Sequence, residues 1–284
     1  MAEVRKARLN CLSQSGFHEI SYRIYGPDHP VPIICVHGLG RNARDFDSLA
    51  MALAAAGRRV VCPDIVGRGE SDWLRAPMDY GYPQYLADMN SLIARLDCRA
   101  VDWVGTSMGG LIGMMLAALP GNALRRMVVN DVGAFIPKAA LLRILDYFGK
   151  DPSFKDTAAA ELYFRQVYSG FGDLTDAQWR HLTETSLRRA DGQLHLHYDP
   201  KIAVPFHAQD IDDVDLWALW DAITAPVLLL RGADSDLLTA ETAEAMTGRG
   251  PKAELLEFPA CGHAPALLDP RQMAPVLEWL AVEP

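Results

Sequence analysis

The chain has 284 residues, half of them hydrophobic, with 27 basic residues against 36 acidic ones and a net charge of -9. This length allows a substantial buried core, most simply one domain with an insertion. The acidic balance, with arginine pairs scattered along the chain instead of gathered into a stripe, argues against nucleic acid as a partner.

The amino-terminal segment and the cysteines bear on the cellular compartment. Met1 to Lys6 lead into alternating polar and apolar residues, without the apolar stretch of a secretory signal. The most apolar stretch, Leu111 to Leu119, is much shorter than the roughly 20 residues that cross a bilayer. The five cysteines form neither a Cys-x-x-Cys pair nor a metal-ligand spacing, which indicates free thiols. We expect a cytoplasmic protein with no membrane segment and no membrane partner.

The first half of the chain predicts a hairpin followed by alternating strands and helices. Residues 7–16 and 18–26 mix alternation with β-formers between glycines, as expected of an antiparallel edge. Short apolar runs then predict strands buried on both faces of a parallel sheet, and the stretches between them have helical periodicity. The runs are Val31–Val36, Arg59–Pro63 and Ala100–Val104, and the predicted helices are Phe46–Ala56 and Tyr85–Leu96.

The second half predicts further strands separated by a long insertion. The strands are Met127–Asn130, Val227–Leu230 and Leu255–Phe258, and Pro270–Leu280 is a closing helix. Roughly 90 residues separate the first two strands, several times the length of an ordinary crossover. Four segments between them have helical periodicity: Lys138–Phe148, Thr157–Tyr168, Ala177–Arg189 and Leu216–Ala222.

These elements together predict an α/β fold with a mostly parallel sheet. We predict a core formed by residues 1–133 and 223–284, with residues 134–222 inserted as a helical cap.

The sharpest local signal is Gly105-Thr106-Ser107-Met108-Gly109-Gly110. It follows an apolar run and precedes a helix-like stretch, so a Gly-x-Ser-x-Gly pattern lies in a strand-turn-helix context. Flanking residues without Cβ permit the sharp turn that exposes a nucleophile. The pattern predicts Ser107 as the nucleophile; the alternative is a glycine-rich helix start that serves only packing.

A second glycine motif, His37-Gly38-Leu39-Gly40, ends the predicted strand at Val36. Its glycines let backbone N–H groups face a developing negative charge. We predict that the N–H groups of Leu39 and Met108 form an oxyanion hole. His37 itself is expected to be a structural hydrogen-bonding residue.

A histidine near the carboxyl end supplies the predicted general base. His263 follows a predicted strand, at the sheet edge where open α/β sheets place their sites. A lone histidine is usually structural, but this one follows the serine and an acid in the required chain order. Three aspartates are candidates for that acid: we rank Asp236 first, Asp234 second and Asp131 third. Each has the alternative of a solvated loop or capping residue.

Together these motifs resemble the α/β-hydrolase superfamily over nearly the whole chain. The resemblance also includes Asp64-Ile65-Val66-Gly67-Arg68-Gly69-Glu70-Ser71 and Gly262-His263. It implies a sheet of about eight strands flanked by helices, and a cap that decides substrate choice. It also implies an acid at the Ser-Asp position, which is Asp236. One residue more than the commoner spacing after Gly232 keeps Asp234 in consideration.

The implied chemistry is acyl transfer in two steps. His263 removes the Ser107 proton, the serine attacks an ester carbonyl, and water later hydrolyses the acyl-enzyme. We expect a serine hydrolase that cleaves a small-molecule carboxylic ester, with no cofactor and no metal. His195, His197 and His207 cluster in the predicted cap but lack the acidic partners of a metal site.

Two alternative functions remain. Carbon–carbon hydrolases of the meta-cleavage-product type also use serine, but a Trp commonly follows their histidine, whereas Ala264 stands here. The other alternative is a non-catalytic ligand receptor on the same fold, because fold alone does not fix function. Ser107 disfavours the epoxide hydrolases and haloalkane dehalogenases, which attack with aspartate.

Overall fold

The computed structural model describes residues 4–282. The amino-terminal half is an edge hairpin followed by alternating strands and helices. Its elements are β1 (Arg5–Ser13), β2 (Gly16–Tyr25), β3 (Ile33–Val36), α1 (Asp47–Ala55), β4 (Val60–Pro63), α2 (Tyr82–Arg95), β5 (Val101–Thr106), α3 (Met108–Ala117) and β6 (Leu124–Asn130). Each predicted element is present here within a few residues of its expected bounds. Residues 1–3 and 283–284, which belong to the predicted amino terminus and core, lie outside the described residues.

The insertion, residues 134–222, follows β6 and contains short strands as well as helices. In chain order it comprises β7 (Phe135–Ile136), α4 (Lys138–Leu145), β8 (Ser153–Phe154), α5 (Thr157–Val167), α6 (Asp176–Thr185), β9 (Leu187–Ala190), β10 (Gln193–Leu196), α7 (Val204–His207), β11 (Val214–Asp215) and α8 (Trp217–Asp221). The helical periodicity of this region is therefore confirmed for four helices, with one error.

The error concerns the predicted helix that extended to Arg189. Helix α6 ends at Thr185, and β9 pairs antiparallel with β10 through a two-residue turn. That turn is Asp191-Gly192, and both residues have positive φ, 49° and 78°. Asp-Gly between two strands is a strong hairpin signal, because its backbone twist matches that of the strands. The Asp-Gly turn therefore favours a hairpin over a continued helix after Thr185, despite the helical spacing of the apolar residues.

The chain returns to the main sheet with β12 (Val227–Gly232), α9 (Ala240–Gly248), β13 (Glu254–Phe258) and α10 (Pro270–Ala281). The sheet has the order β1-β2-β4-β3-β5-β6-β12-β13 and is parallel from β4 onward. The expectation of about eight strands is confirmed. Helix α9 has no counterpart among the predictions, because its buried residues include a threonine and an alanine and give weak apolar periodicity.

The register of the central strands decides which loops lie side by side. Thr106 at the end of β5 pairs with Asn130 at the end of β6. The Ser107 N–H donates to the Asn130 carbonyl at 2.9 Å, and the Asp131 N–H donates to the Leu230 carbonyl at 2.8 Å. Ser107 and Asp131 therefore leave the sheet as neighbours, at its carboxyl edge.

The core and the insertion share one hydrophobic cluster. Trp103 on β5 belongs to the same buried cluster as Phe164 and Trp179 of the insertion. The insertion and the sheet thus contribute to one buried core. Among residues 4–282, no helix combines the length and the apolar character that spanning a membrane requires.

Candidate active site

Ser107 lies on a strained turn between β5 and α3. Its backbone has φ 52° and ψ -114°, a conformation that side chains other than glycine rarely adopt. A Cβ on Gly105 would collide with the Gly109 backbone, and one on Gly109 would collide with the Val36 carbonyl. The glycines therefore let the turn approach β3 closely, and the serine is presented at the start of the helix.

His263 lies against this serine. Its Nε2 is 3.0 Å from the Ser107 Oγ, although the two residues are 156 positions apart in the chain. The loop that carries it is tied to the insertion by a hydrogen bond from the Gly262 N–H to the Gly170 carbonyl, 2.7 Å. Asn130 also donates to the Pro265 carbonyl at 2.8 Å. The loop is thus fixed on both sides of the histidine.

The acid that contacts His263 is Asp131, so the ranking of Asp236 first was wrong. Asp131 Oδ2 lies 2.7 Å from His263 Nδ1, and its side chain is fully buried. The same carboxylate accepts from the Gly232 N–H at 2.8 Å and from the Ser235 hydroxyl at 2.6 Å. These three donors compensate the burial of the carboxylate.

Asp236 and Asp234 are both exposed and contact neither Ser107 nor His263. Asp236 forms an ion pair with Arg143 of the insertion, with Oδ1 2.7 Å from Nη2. The physical reason lies in the loop after β12, which turns so that Ser235 points inward and Asp236 points outward. The segment predicted to supply the acid instead supplies two of the groups that hold Asp131.

The two predicted oxyanion-hole residues lie beside the serine and have a common neighbour that sequence reasoning missed. Leu39 and Met108 both line a cavity with Ser107, and Met108 is the first residue of α3, so its N–H has no acceptor within the helix. Arg68 Nε donates to the Leu39 carbonyl at 3.0 Å, and Nη2 lies 3.5 Å from the Met108 sulfur.

Arg68 is a fully buried cation without an acidic partner among the described residues. Its other contacts are the Val66 carbonyl at 2.9 Å, the Tyr85 hydroxyl at 3.0 Å and the Tyr85 ring. An unpaired buried charge costs stability. The contacts of Arg68 with the Leu39 carbonyl and the Met108 sulfur place that positive charge next to the predicted oxyanion-hole residues.

His37 is a structural residue, as predicted. Its Nε2 accepts from the Ile65 N–H at 3.0 Å, so the proton is on Nδ1, which donates to the Gly38 carbonyl at 2.8 Å. Burial lowers the pKa of His37 to about 3. The imidazole is therefore neutral and joins the loop after β3 to the loop after β4.

The segment Asp64 to Ser71 is likewise a structural loop. Asp64 accepts from the Ala43 and Glu70 N–H groups at 2.8 and 2.9 Å, and burial raises its pKa to about 6. Ser71 donates to the Asp64 carbonyl at 2.7 Å. These bonds fold the loop tightly and direct Arg68 inward.

Two cavities meet at Ser107. The small cavity, about 60 Å³, is lined by Ser107, His263 and the residues that follow the histidine, together with Arg41 and a wall of aromatic side chains. The large cavity, about 390 Å³, is lined by apolar residues of α3 and α4 and by residues of the segment 206–216. Leu39, Ser107 and Ile144 line both, so the serine stands at the junction.

Arg41 and Asp45 are a charged pair that lines the small cavity. The Nε and Nη2 atoms of Arg41 donate to the two Asp45 oxygens at 2.9 and 2.6 Å. The guanidinium carbon lies 4.9 Å from the Tyr168 ring centroid. Burial opposes the charge, but Asp45 outweighs this and holds the pKa of Arg41 above its usual range. The third nitrogen, Nη1, is buried and has no hydrogen-bond partner.

One group of metal-ligating residue types occurs among the described residues, away from both cavities. Cys11, His18 and Asp88 are buried between β1, β2 and α2, with His18 Nε2 3.1 Å from Asp88. Burial, together with the Asp88 charge, raises the pKa of the Cys11 thiol to about 12. The histidines considered in the insertion are not gathered: His195 pairs with Asp151, and His197 packs separately with its pKa lowered by burial.

Comparison with known proteins gives a consistent result. The sequence profile described as alpha/beta hydrolase family matches residues 33–276. A 3-hydroxybutyrate-oligomer hydrolase from Cupriavidus necator is 43% identical over 283 residues, which cover 96% of each protein.

Solved structures agree with this result. A protein of Rickettsia typhi assigned as a hydrolase superimposes with a TM-score of 0.92 at 32% identity, covering 99% of this chain and all of the other. An alpha/beta hydrolase from Novosphingobium aromaticivorans superimposes with a TM-score of 0.88 at 36% identity, covering 99% of both. The likeness therefore includes the insertion as well as the sheet.

Proposed function

The chain belongs to the alpha/beta hydrolase family, and we propose that it hydrolyses carboxylic esters through an acyl-enzyme on Ser107. The observation that carries this proposal is the continuous chain of contacts from the serine hydroxyl through His263 to Asp131, 3.0 and 2.7 Å long. A packing role for the glycine-rich turn does not account for a histidine and a buried carboxylate aligned on its one hydroxyl. The same alignment speaks against a ligand receptor.

The proposed reaction has two balanced steps. His263 Nε2 takes the Ser107 proton while Oγ bonds to the ester carbonyl carbon, and the imidazolium then gives that proton to the departing alcohol oxygen. Water next attacks the acyl carbon, His263 takes its proton, and the Ser107 oxygen leaves and is reprotonated. Asp131 holds the imidazole by its Nδ1 proton throughout, and the Leu39 and Met108 N–H groups bind the oxyanion.

We propose linear oligoesters of short hydroxyacids as the substrate class. The support is the 43% identical relative named for hydrolysis of 3-hydroxybutyrate oligomers, which matches over nearly its whole length. The two cavities on either side of Ser107 suit a substrate that extends in both directions from the scissile bond.

We also propose that residues 134–222 act as a cap over a core formed by residues 1–133 and 223–284. In support, the insertion contributes walls to both cavities, including Ile144 and Tyr168. A cytoplasmic location is proposed as well, since the described cysteines are free thiols, as is usual in a reducing compartment.

Two measurements test the proposed function. A fluorophosphonate probe should modify Ser107, as located by peptide mass spectrometry, and should not modify the Ser107→Ala variant. A panel of p-nitrophenyl esters of increasing acyl length should be turned over by the wild type and not by that variant. An unmodified serine in folded, wild-type protein would favour the receptor alternative.

The same panel should contain a dienoic carbon–carbon substrate. Since Ala264 occupies the position where a Trp commonly follows the histidine in meta-cleavage hydrolases, we expect esters to be preferred. A hundredfold preference for the dienoic compound would replace ester hydrolysis with carbon–carbon cleavage.

A further inference from the structure

The unpaired nitrogen of Arg41 is the starting point. Arg41 is 5% exposed and lines the small cavity, and its Nη1 lacks a partner while Nε and Nη2 are taken by Asp45. A buried guanidinium nitrogen without an acceptor costs stability. Tyr168, Phe164 and Phe171 surround the guanidinium and leave it little access to water. The Tyr168 hydroxyl interacts with the guanidinium but makes no hydrogen bond to Nη1, so Nη1 can donate to an oxygen of the group that fills the small cavity.

The mechanism decides which half of an ester enters that cavity. The imidazole protonates the departing alcohol, so the alcohol half must lie on the histidine side of Ser107. The small cavity is lined by His263, Ala264 and Pro265, whereas the large cavity is lined by Met108, Leu111 and Met115 and excludes His263. The alcohol half therefore occupies the small cavity, and the acyl half occupies the large one.

Size restricts the alcohol half to one short unit. A cavity of about 60 Å³ has room for roughly four to six water-sized groups. This suits a single hydroxyacid of three or four carbons. The large cavity, about 390 Å³, accommodates several such units.

The charged residues that line the two cavities support the same placement of the alcohol half and the acyl half. Asp210, Asp212 and Asp213 stand exposed around the large cavity. Asp212 pairs with Lys138, and the remaining negative charge disfavours an anionic end there. Arg41 supplies a charge-assisted donor in the small cavity, and both Asp45 oxygens are already engaged by that arginine.

We propose that the small cavity is a carboxylate subsite, in which Arg41 Nη1 binds the free carboxylate of the alcohol half. The enzyme then cleaves hydroxyacid oligoesters from the carboxyl end and releases one hydroxyacid in each turnover. This inference rests on the proposed ester hydrolysis and adds its specificity and direction. The bond broken is the ester C–O bond next to the terminal unit, with the proton and water balance of the two steps above.

The first experiment compares two substrates that differ only in charge, 3-(butyryloxy)butyrate and its primary amide. The wild type should show a kcat/KM about tenfold or more higher for the carboxylate. Arg41→Met should abolish this preference, and Arg41→Lys should keep part of it. Arg44→Gln is the matched control, because Arg44 is the neighbouring arginine, pairs with Asp47 and lines neither cavity.

A purely structural role for Arg41 predicts a different result. Arg41→Met would then lower kcat/KM for both substrates by the same factor, and the preference would persist. That outcome, or a wild type with no preference, would overturn the subsite. If Arg41→Met does not fold, as judged by circular dichroism, the Arg41→Lys variant decides. A smaller ratio of kcat/KM for the carboxylate to kcat/KM for the amide than in the wild type supports the subsite, and an unchanged ratio contradicts it. Turnover of uncharged p-nitrophenyl butyrate reports on ester hydrolysis separately.

The direction of cleavage is tested with a linear 3-hydroxybutyrate tetramer that carries an isotopic label in its carboxyl-terminal unit. Labelled monomer should appear first, together with unlabelled trimer. Early products that retain the label in a trimer, or an even mixture of fragments, would contradict release from the carboxyl end.

Discussion

At the residue scale, the acid beside His263 gives the sharpest test of the triad. Asp131→Asn removes the charge that stabilises the imidazolium and offers the wrong tautomer a partner, so kcat should fall by about 10⁴-fold. Asp236→Asn and Asp234→Asn should stay within about threefold of the wild type, because both side chains are exposed. Steady-state measurement of kcat on the three folded variants compares the three aspartates. An Asp236→Asn variant as impaired as Asp131→Asn would refute the assignment.

Arg68 is predicted to position and charge the oxyanion hole. Arg68→Met removes the donor to the Leu39 carbonyl and the buried charge, so kcat should fall by about 10- to 100-fold while KM stays within about threefold. The inhibition constant of a boronic acid, which mimics the tetrahedral anion, should rise by the same factor as kcat falls.

Tyr85→Phe is the control for Arg68, because it removes one hydrogen-bond partner and leaves the cation in place. It should lower kcat much less. If Arg68→Met raises KM instead, or leaves boronate affinity unchanged, the arginine serves only to hold the loop.

Some site residues are marked by local sequence motifs, whereas others are defined only by contacts between distant parts of the chain. Ser107 and His263 were predictable, because a glycine pattern and a chain order mark them. The acid was not, because two loops at the same sheet edge offer three carboxylates between them. Which one turns inward depends on the path of the backbone: Asp131 has φ 55°, and Ser235 rather than Asp236 points at it. Arg68 was missed because its role depends on burial, which its motif does not reveal.

At the scale of elements, the loops after β3 and β4 are joined by a neutral histidine. In the folded protein the pKa of His37 is lowered to about 3, so only the unfolded chain takes up a proton between about pH 6.5 and 3. Stability from His37 is therefore present above pH 6.5 and is lost as the pH falls. Asp64 acts oppositely, because its raised pKa of about 6 favours the folded state on acidification.

His37→Gln isolates the histidine contribution, since a glutamine oxygen can still accept from the Ile65 N–H. Between pH 7 and pH 5 the free energy of unfolding of the variant should fall by about 2 kcal/mol less than that of the wild type. Urea denaturation at both pH values measures this difference. Equal losses in the two proteins would mean that His37 is protonated in the folded state.

The elements themselves were largely predictable, because buried parallel strands and amphipathic helices have strong periodic signals. The failures are physical exceptions to periodicity. The β9–β10 hairpin is decided by its Asp-Gly turn, and α9 by a Thr239 cap whose hydroxyl receives the Thr242 N–H at 3.2 Å. Neither feature depends on an apolar stripe.

At the scale of the whole molecule, the insertion is predicted to set the length of the acyl group. Leu141 on α4 lines the large cavity, and Leu141→Trp should fill part of it. kcat/KM for p-nitrophenyl octanoate should then fall by about tenfold or more, while that for the acetate stays within about threefold.

The adjacent residue provides a matched control for this substitution. Leu142 is 46% exposed and does not line the cavity, so Leu142→Trp should leave the chain-length profile unchanged. A Leu141→Trp variant that loses acetate and octanoate turnover equally would indicate a distorted site instead of a filled cavity.

The insertion and the sheet share one hydrophobic cluster, which supports the proposal that the insertion shapes the site. Phe164 and Trp179 belong to the same cluster as Trp103, whose Nε1 donates to the Gly109 carbonyl of the nucleophile turn at 3.0 Å. The division at residues 134 and 222 was drawn from chain length and periodicity, which do not indicate how far two segments share a core.

The most direct test of the whole account is to catch the acyl group on the protein. During turnover of a butyrate ester, rapid acid quench and peptide mass spectrometry should find a butyryl group on the peptide that contains Ser107. With p-nitrophenyl butyrate, whose leaving group needs no proton, the adduct should persist longer in His263→Gln than in the wild type, because water then lacks a general base, and it should be absent in Ser107→Ala. An acyl group on another residue, or full turnover by Ser107→Ala, would contradict the account.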